Sequence, residues 1–207
     1  NKIQNKSLEL SLLLSLPASI ALIIGSEEIV SALFGYGSFT ENDIEQTSLA
    51  LRYFGYGIPA FAVLKIFANF FFARDNTMTP FKVSSIVVFI NIAVSILFFK
   101  EIGFIIIPIA TTLSTWIGVF YYFYLLRKIG YLKINSRLYI NFMKIVFSTI
   151  IMTYAFHESL NYFAKNLSYS SDYKILYLLF IVIFVALLYF LICYFLKVLN
   201  LKSFKTN

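Results

Sequence analysis

One cysteine and one histidine stand in the whole chain, Cys193 and His157. A lone cysteine allows no disulfide framework and implies no redox compartment. One cysteine with one histidine argues against a protein-only zinc site and against a Cys–His nucleophile pair. Charge is scarce as well, at 13% of residues. No Ser-, Pro- or Gly-rich linker divides the chain, and no internal repeat does so: "GYG" occurs at residues 35–37 and 55–57, but the flanks differ. The N-terminus, "NKIQNKSLEL", has neither an initiator Met nor a signal-peptide cleavage pattern, which leads us to expect a piece of a longer protein.

What the chain has instead is apolar surface. Of its 207 residues 60% are hydrophobic, and the mean hydropathy is +0.82. A soluble domain of this length cannot hide so much, because too much of its surface must face water. Several apolar runs reach about 18 residues or more, enough to cross a bilayer as a helix. We therefore expect an all-α, polytopic membrane helix bundle. Six helices are placed at about residues 8–34, 48–73, 81–99, 104–126, 139–156 and 175–199. The fifth has a core shortened by Ser148, Thr149 and Thr153; the sixth is apolar all round, suits contact with lipid, and holds Cys193 as a packing residue.

The net charge of +7 does not point to nucleic acid, because the basic residues lie scattered at segment ends. With the first helix entering from inside, Arg52, Lys100, Lys165 and Lys174 fall outside. Apart from Lys65, every other Lys and Arg, from Lys2 and Lys6 through Arg74, Lys82, Arg127, Lys128 and Lys133 to Lys202 and Lys205, falls inside. The bias of the loops predicts cytoplasmic N- and C-termini. The basic stretch "RKIGYLKINSR" separates the first four helices from the last two, as an interfacial cytoplasmic connection.

Polar and small residues recur at helical spacing inside the apolar runs: Ser11, Ser15 and Ser19; Ser84, Asn91 and Ser95; Pro108, Thr111, Thr115 and Gly118. Such stripes let helices pack closely in lipid. Alternatively Asn91, Ser95, Thr111 and Thr115 line a polar pocket able to take a small hard cation such as Na⁺, although neither helix supplies a carboxylate.

Lys65 is the exception among the apolar runs. It lies about 13 Å inside the second helix at 1.5 Å per residue, farther than a lysine stem can snorkel. Asn69 shares its face, and Arg52 lies near the outer end of the same helix. Lys65 is either a paired structural lysine or a charge facing a wet cavity, the default for an ionisable group in a membrane. Pro59 upstream removes a backbone donor and invites a kink. The turn "ARDNTMTPF" closes the helix: Arg74 and Asp75 end it at the surface, Asn76, Thr77 and Thr79 can cap, and Pro80 suits the first turn of the next helix.

The stretch "RYFGYGIPAFAVLKIFANFFFARDNTMTPFKV", residues 52–83, resembles the MurJ (MviN) lipid II flippase family, whose members show a similar G-x-P-A-F…K…F-Y-A-R-x-D-T-x-T-P pattern. "LPASIALII", "LFGYGSFT", Asn91 and "IATTLS" are also similar to it, so the likeness covers about residues 7–128. The resemblance implies a place in the superfamily of multidrug, oligosaccharide-lipid and polysaccharide exporters. It implies two six-helix lobes with two further C-terminal helices, of which this chain is the last six. Residues 1–128 would supply four helices of the second lobe, and residues 129–207 the additional pair with a cytoplasmic tail. It implies flipping of undecaprenyl-diphosphate-linked peptidoglycan precursor across the bacterial inner membrane by alternating access, with cavity arginines in N-terminal helices absent here and a lipid-tail groove at the additional pair. On this reading Arg52, Lys65 and Asn69 are the cavity residues. Pro59, Arg74, Asp75, Thr79 and Pro80 form the hinge and turn. Asn91, Ser95 and Thr111 match a cation site in which Ser95 stands where a carboxylate would bind more strongly. No cofactor and no resident metal are expected, and the partners are the lipid substrate, membrane lipids and the missing helices.

Three other readings compete. One is an O-antigen or polysaccharide flippase or a drug exporter of the same superfamily, against which residues 52–83 argue. Another is a membrane enzyme acting on a polyprenyl lipid; Glu41, Asp43 and Glu45 are its only acidic cluster, with no His beside them. The last is a non-catalytic scaffold, which Lys65 and the kinked helix oppose.

Overall fold

The computed structural model describes residues 2–132 and 134–198. Lys133, Lys202 and Lys205, the side chain of Lys2, and the end of the sixth expected helix at Leu199 lie outside the described residues. The described chain is all helix: α1 (Lys2–Ile24), α2 (Ser26–Phe34), α3 (Glu41–Phe72), α4 (Met78–Ile102), α5 (Ile106–Lys128), α6 (Ser136–Tyr162), α7 (Ala164–Leu167) and α8 (Lys174–Phe195), with one 3₁₀ turn at Gly103–Ile105.

Five stretches are long and apolar enough to cross a membrane: Ile3–Ile24, Glu41–Phe72, Met78–Lys128, Ser136–Tyr162 and Lys174–Phe195. The third runs for 51 residues. As one straight helix it would be about 77 Å long, more than twice the ~30 Å of a hydrocarbon core. It is folded in two at Gly103, whose φ of +71° suits a residue without a Cβ. Its halves, α4 and α5, pack antiparallel, with Asn91 donating to Thr111 Oγ1 across them at 2.9 Å. Six long helices result, as the apolar runs predict.

The first expected helix differs. Residues 8–34 form α1 and α2, bent at Gly25. Backbone bonds run through the bend, from Gly25 N to Ala21 O and from Ile29 N to Gly25 O, each 2.9 Å. A Cβ at Gly25 would lie 2.8 Å from the Phe156 ring, so α6 packs against bare backbone there. α3, α4 and α6 start before the apolar runs because their N-termini are capped, whereas α8 ends at Phe195, ahead of the expected end. Thr40 and Asp43 form a capping box at the start of α3. At its other end Asp75 takes a left-handed conformation (φ +57°), and the amides of Asp75 and Asn76 return to Phe72 O and Phe71 O. Gly130 and Lys197 close α5 and α8 in the same way.

Two apolar cores flank α1. One joins α3, α4 and α5 around Phe67, Phe71, Val83, Tyr122 and Leu126, with Leu8 of α1. The other joins α1 and α2 to α6 and α8 through Leu13, Ala32, Ile145, Phe156, Ile181 and Tyr189. Polar bonds tie α6 and α8 to α1 and the segment after α2 at three levels. Asn141 donates to Glu9 Oε1 (2.8 Å), Tyr189 Oη to Leu13 O (2.8 Å), and Lys174 Nζ to Gly35 O (2.6 Å). Lys174 is fully buried; it also donates to Tyr169 O at 3.0 Å and lies against the rings of Tyr36 and Tyr169. Its three N–H groups thus meet two carbonyls and aromatic faces, which is how a buried ammonium is tolerated.

Candidate functional site

α3 is the helix on which the site is built. One face of it packs on α1 and α5; the other carries Phe54, Phe61, Lys65, Asn69 and Phe72, all exposed. Lys65 and Asn69 are one turn apart on that open face. Lys65 makes no hydrogen bond or ion pair with the described residues. Arg52 is elsewhere. Thirteen residues separate it from Lys65, about 20 Å along the axis, and its Nε donates to Ser26 Oγ of α2 at 3.3 Å. Glu28 lies in the same neighbourhood. Burial pushes its carboxyl above the usual range, partly offset by its own backbone amide and by the charges of Arg52 and His157. The fold therefore brings Lys65 and Asn69 together and holds Arg52 apart from them.

The proline turn of α3 is held by its neighbours. Pro59 has no N–H, so Gly55 O loses its partner four residues on. Ser19 Oγ of α1 donates to Gly55 O at 2.7 Å in a buried bond. From α5, Thr112 Oγ1 donates to Tyr53 O at 2.8 Å and Trp116 Nε1 to Tyr56 O at 3.1 Å. The two glycines of "GYGIP" make these approaches possible. A Cβ on Gly55 would lie 2.9 Å from Ile23 Cγ1, and one on Gly57 would lie 2.8 Å from Thr112 Oγ1. Sequence reasoning found Pro59 but missed Ser19 as the donor to the carbonyl it frees, and Thr112 and Trp116 as donors to the carbonyls on either side. The serine stripe of α1 was a signal for Ser19; nothing local marks Trp116.

The turn after α3 is well capped. Arg74 donates to Phe70 O at 2.6 Å and lies 4.2 Å from the centre of the Tyr131 ring. Asn76 Oδ1, one residue ahead of the N-cap Thr77, accepts from Thr79 N at 3.0 Å and so satisfies an amide of the first turn of α4, in which Pro80 is buried.

Asn91, Ser95 and Thr111 do come together. Ser95 Oγ donates to Asn91 Oδ1 at 3.3 Å, Asn91 Nδ2 to Thr111 Oγ1, and Thr111 Oγ1 to Ile107 O at 2.7 Å. The three form a hydrogen-bonded bridge between α4 and α5. They offer neutral oxygens already engaged with one another, fewer than the roughly six ligands a hard cation takes. Among the described residues no group of three or more His, Cys, Asp or Glu side chains is placed to hold a metal.

Long apolar helices, hairpin connections and an ionisable group on an open mid-helix face define a multi-pass membrane protein of the helical-bundle class. The family model described as "Lipid II flippase MurJ" matches residues 1–178. The chain is 35% identical over 130 residues to a probable lipid II flippase MurJ of Rhizobium tropici, covering 63% of this chain and 24% of that protein. It is 31% identical over 166 residues to one of Rhizobium meliloti, covering 80% and 31%. It is 29% identical over 153 residues to the lipid II flippase MurJ of Thermosipho africanus, covering 74% and 30%. A solved structure titled "Lipid II flippase MurJ, inward closed conformation" superposes with a TM-score of 0.78 at 24% identity, over 95% of this chain and 39% of the other; that likeness concerns the fold. The chain belongs to the lipid II flippase MurJ family, and it spans about a quarter to a third of the length of these curated relatives.

Proposed function

We propose that this chain is the C-terminal part of a transporter that flips an undecaprenyl-diphosphate-linked peptidoglycan precursor, lipid II, across the bacterial inner membrane by alternating access. Residues 1–128 are four helices of its second lobe and residues 129–207 the additional pair. Both ends of the chain are cytoplasmic, a reading supported by the basic residues at the α3–α4 and α5–α6 connections. The observation that carries the proposal is the open face of α3. A lysine at this depth costs about 2.5–3.5 kcal/mol when it faces hydrocarbon, and Lys65 has no partner among the described residues to offset that. A wet cavity between two lobes removes the cost, and a cation there favours passage of a diphosphate, since low surrounding dielectric strengthens the attraction. Asn69 adds a neutral donor on the same face. A coupling Na⁺ at Asn91, Ser95 and Thr111 belongs to the proposal as well, with its remaining ligands supplied from beyond this chain.

The test uses the full-length protein. Lys65→Met keeps much of the stem and loses the charge; Lys65→Arg keeps the charge. We expect Met to fail in supporting growth, Arg to support it in part, and both proteins to reach normal membrane levels. Full complementation by Met at a normal level would remove Lys65 from transport. A fall in the amount of Met protein would instead mean a buried ion pair, because the partner charge is left alone.

A further inference from the structure

α5 carries four hydroxyl side chains within five residues: Thr111, Thr112, Ser114 and Thr115. In a membrane helix such groups ordinarily bond the carbonyl one turn back, which costs nothing in tertiary order. Three of them stay within α5 in this way: Thr111 donates to Ile107 O, and Ser114 and Thr115 both donate to Thr111 O. Thr112 alone leaves its own helix and donates to Tyr53 O of α3. One turn further along α5, Trp116 does the same to Tyr56 O. The two helices run parallel here, so donors one turn apart on α5 meet carbonyls about one turn apart on α3. Gly57, one turn beyond Tyr53, provides the space for the threonine hydroxyl.

These acceptors flank Gly55, whose carbonyl Pro59 frees, in the stretch where α3 is weakest along its axis. From this geometry we infer that Thr112 and Trp116 are positioning residues for transport: they clamp the proline-weakened turn of α3 onto α5 and so set where Lys65 and Asn69 stand in the cavity. The inference rests on the transport reading of Lys65 given above. Its leverage is mechanical. Lys65 lies six residues beyond Pro59, and a change in bend of about 20° moves it sideways by about 3 Å. At Phe72 the same change amounts to about 7 Å. A shift of that size at Lys65 takes an ammonium out of contact with an anionic group.

The experiment uses the full-length protein with Cys193→Ser and no other cysteine, carrying spin labels at Phe72→Cys and Tyr139→Cys. Both positions are exposed, the first beyond Pro59 on α3 and the second on α6, which is anchored to α1. Thr112→Val keeps the shape and removes the hydroxyl; Thr112→Ser keeps the hydroxyl. We expect Thr112→Val to displace the principal label distance by about 3–7 Å and to lower lipid transport, and Thr112→Ser to restore both. Trp116→Phe should shift the distance in the same direction. An unchanged distance in Thr112→Val overturns the inference. So does a displacement that Thr112→Ser does not repair, because packing and not the hydrogen bond would then set the bend. If Lys65→Met transports normally while Thr112→Val still displaces the labels, the clamp on α3 stands and the transport reading of Lys65 falls.

Discussion

Ser19 and Pro59 should behave as one energetic unit, although 40 residues separate them and they sit on different helices. In an unbroken helix Gly55 O would accept the amide of residue 59. Pro59 has none, and Ser19 Oγ fills the vacancy at 2.7 Å. Ser19→Ala removes one oxygen from a site that is 4% exposed and leaves the carbonyl buried without a partner. Mutational data on buried polar groups put that loss at about 1–3 kcal/mol. Interhelical bonds in bilayers average only about 0.6 and reach about 1.7 kcal/mol. The membrane figure is the relevant one, raised toward its upper end because no water replaces the hydroxyl; we expect about 1–1.7 kcal/mol. In a Pro59→Ala background the carbonyl regains its intrahelical amide, and Ser19→Ala should then cost under about 0.5 kcal/mol. The coupling, about 1 kcal/mol, is a roughly fivefold change in the unfolding equilibrium and is readable from reversible denaturant titrations of the four full-length proteins in micelles. Equal costs of Ser19→Ala in both backgrounds would refute the reasoning, since the serine would then be packing and not replacing an amide.

Other expectations follow from the same structure. Lys174→Met fits the aromatic enclosure but leaves Gly35 O and Tyr169 O unpaired; it should lower stability by about 1–3 kcal/mol and expose residues 35–40 to protease, whereas Lys165→Met should do neither. Partial burial, with the charge of Glu27 adding to it, raises the Glu28 carboxyl pKa, so folding favours the protonated acid relative to the unfolded chain. The penalty is full above the folded pKa, declines as pH falls through it, and is gone below the unfolded value of about 4.3. Glu28→Gln should therefore raise the thermal midpoint at pH 7 and change nothing at pH 4; a uniform gain at both would show that charge is not the cause. For topology, single cysteines at Ser38 and Ser170 should react with an impermeant thiol reagent from outside, and those at Thr77 and Ser136 should not; all four positions are exposed. The opposite pattern would invert the orientation.

Hydropathy and chain length determined the class of this protein. A chain with 60% hydrophobic residues and apolar runs of bilayer length has no soluble alternative, and the helix is the local solution that satisfies every backbone group in lipid. That is why six helices were legible, why Gly103 had to fold Met78–Lys128 into a hairpin, and why residues 52–83 sufficed to suggest the family. Lys65 was legible for the same reason, since one charge in an apolar run stands out without any knowledge of its surroundings. Tertiary packing decided what the local sequence leaves open. At the Gly25 bend, Phe156, more than a hundred residues away, occupies the space of a Cβ. Lys174 looked like one more charge at a helix end, and only packing brings the Gly35 carbonyl and the Tyr36 ring of the loop after α2 to join Tyr169 in burying it. Pro59 announced a freed carbonyl, but which hydroxyl would answer it depended on which helix lay alongside, and Ser11, Ser15 and Ser19 are equivalent until α3 is docked. Thr112 shares its chemistry with Thr111 and Thr115, and the direction of its hydrogen bond was settled by the glycine that faces it. Propensity and hydrophobicity act along the chain and can be read there. Close approach, hydrogen-bond choice and the burial of a charge depend on neighbours brought together in space.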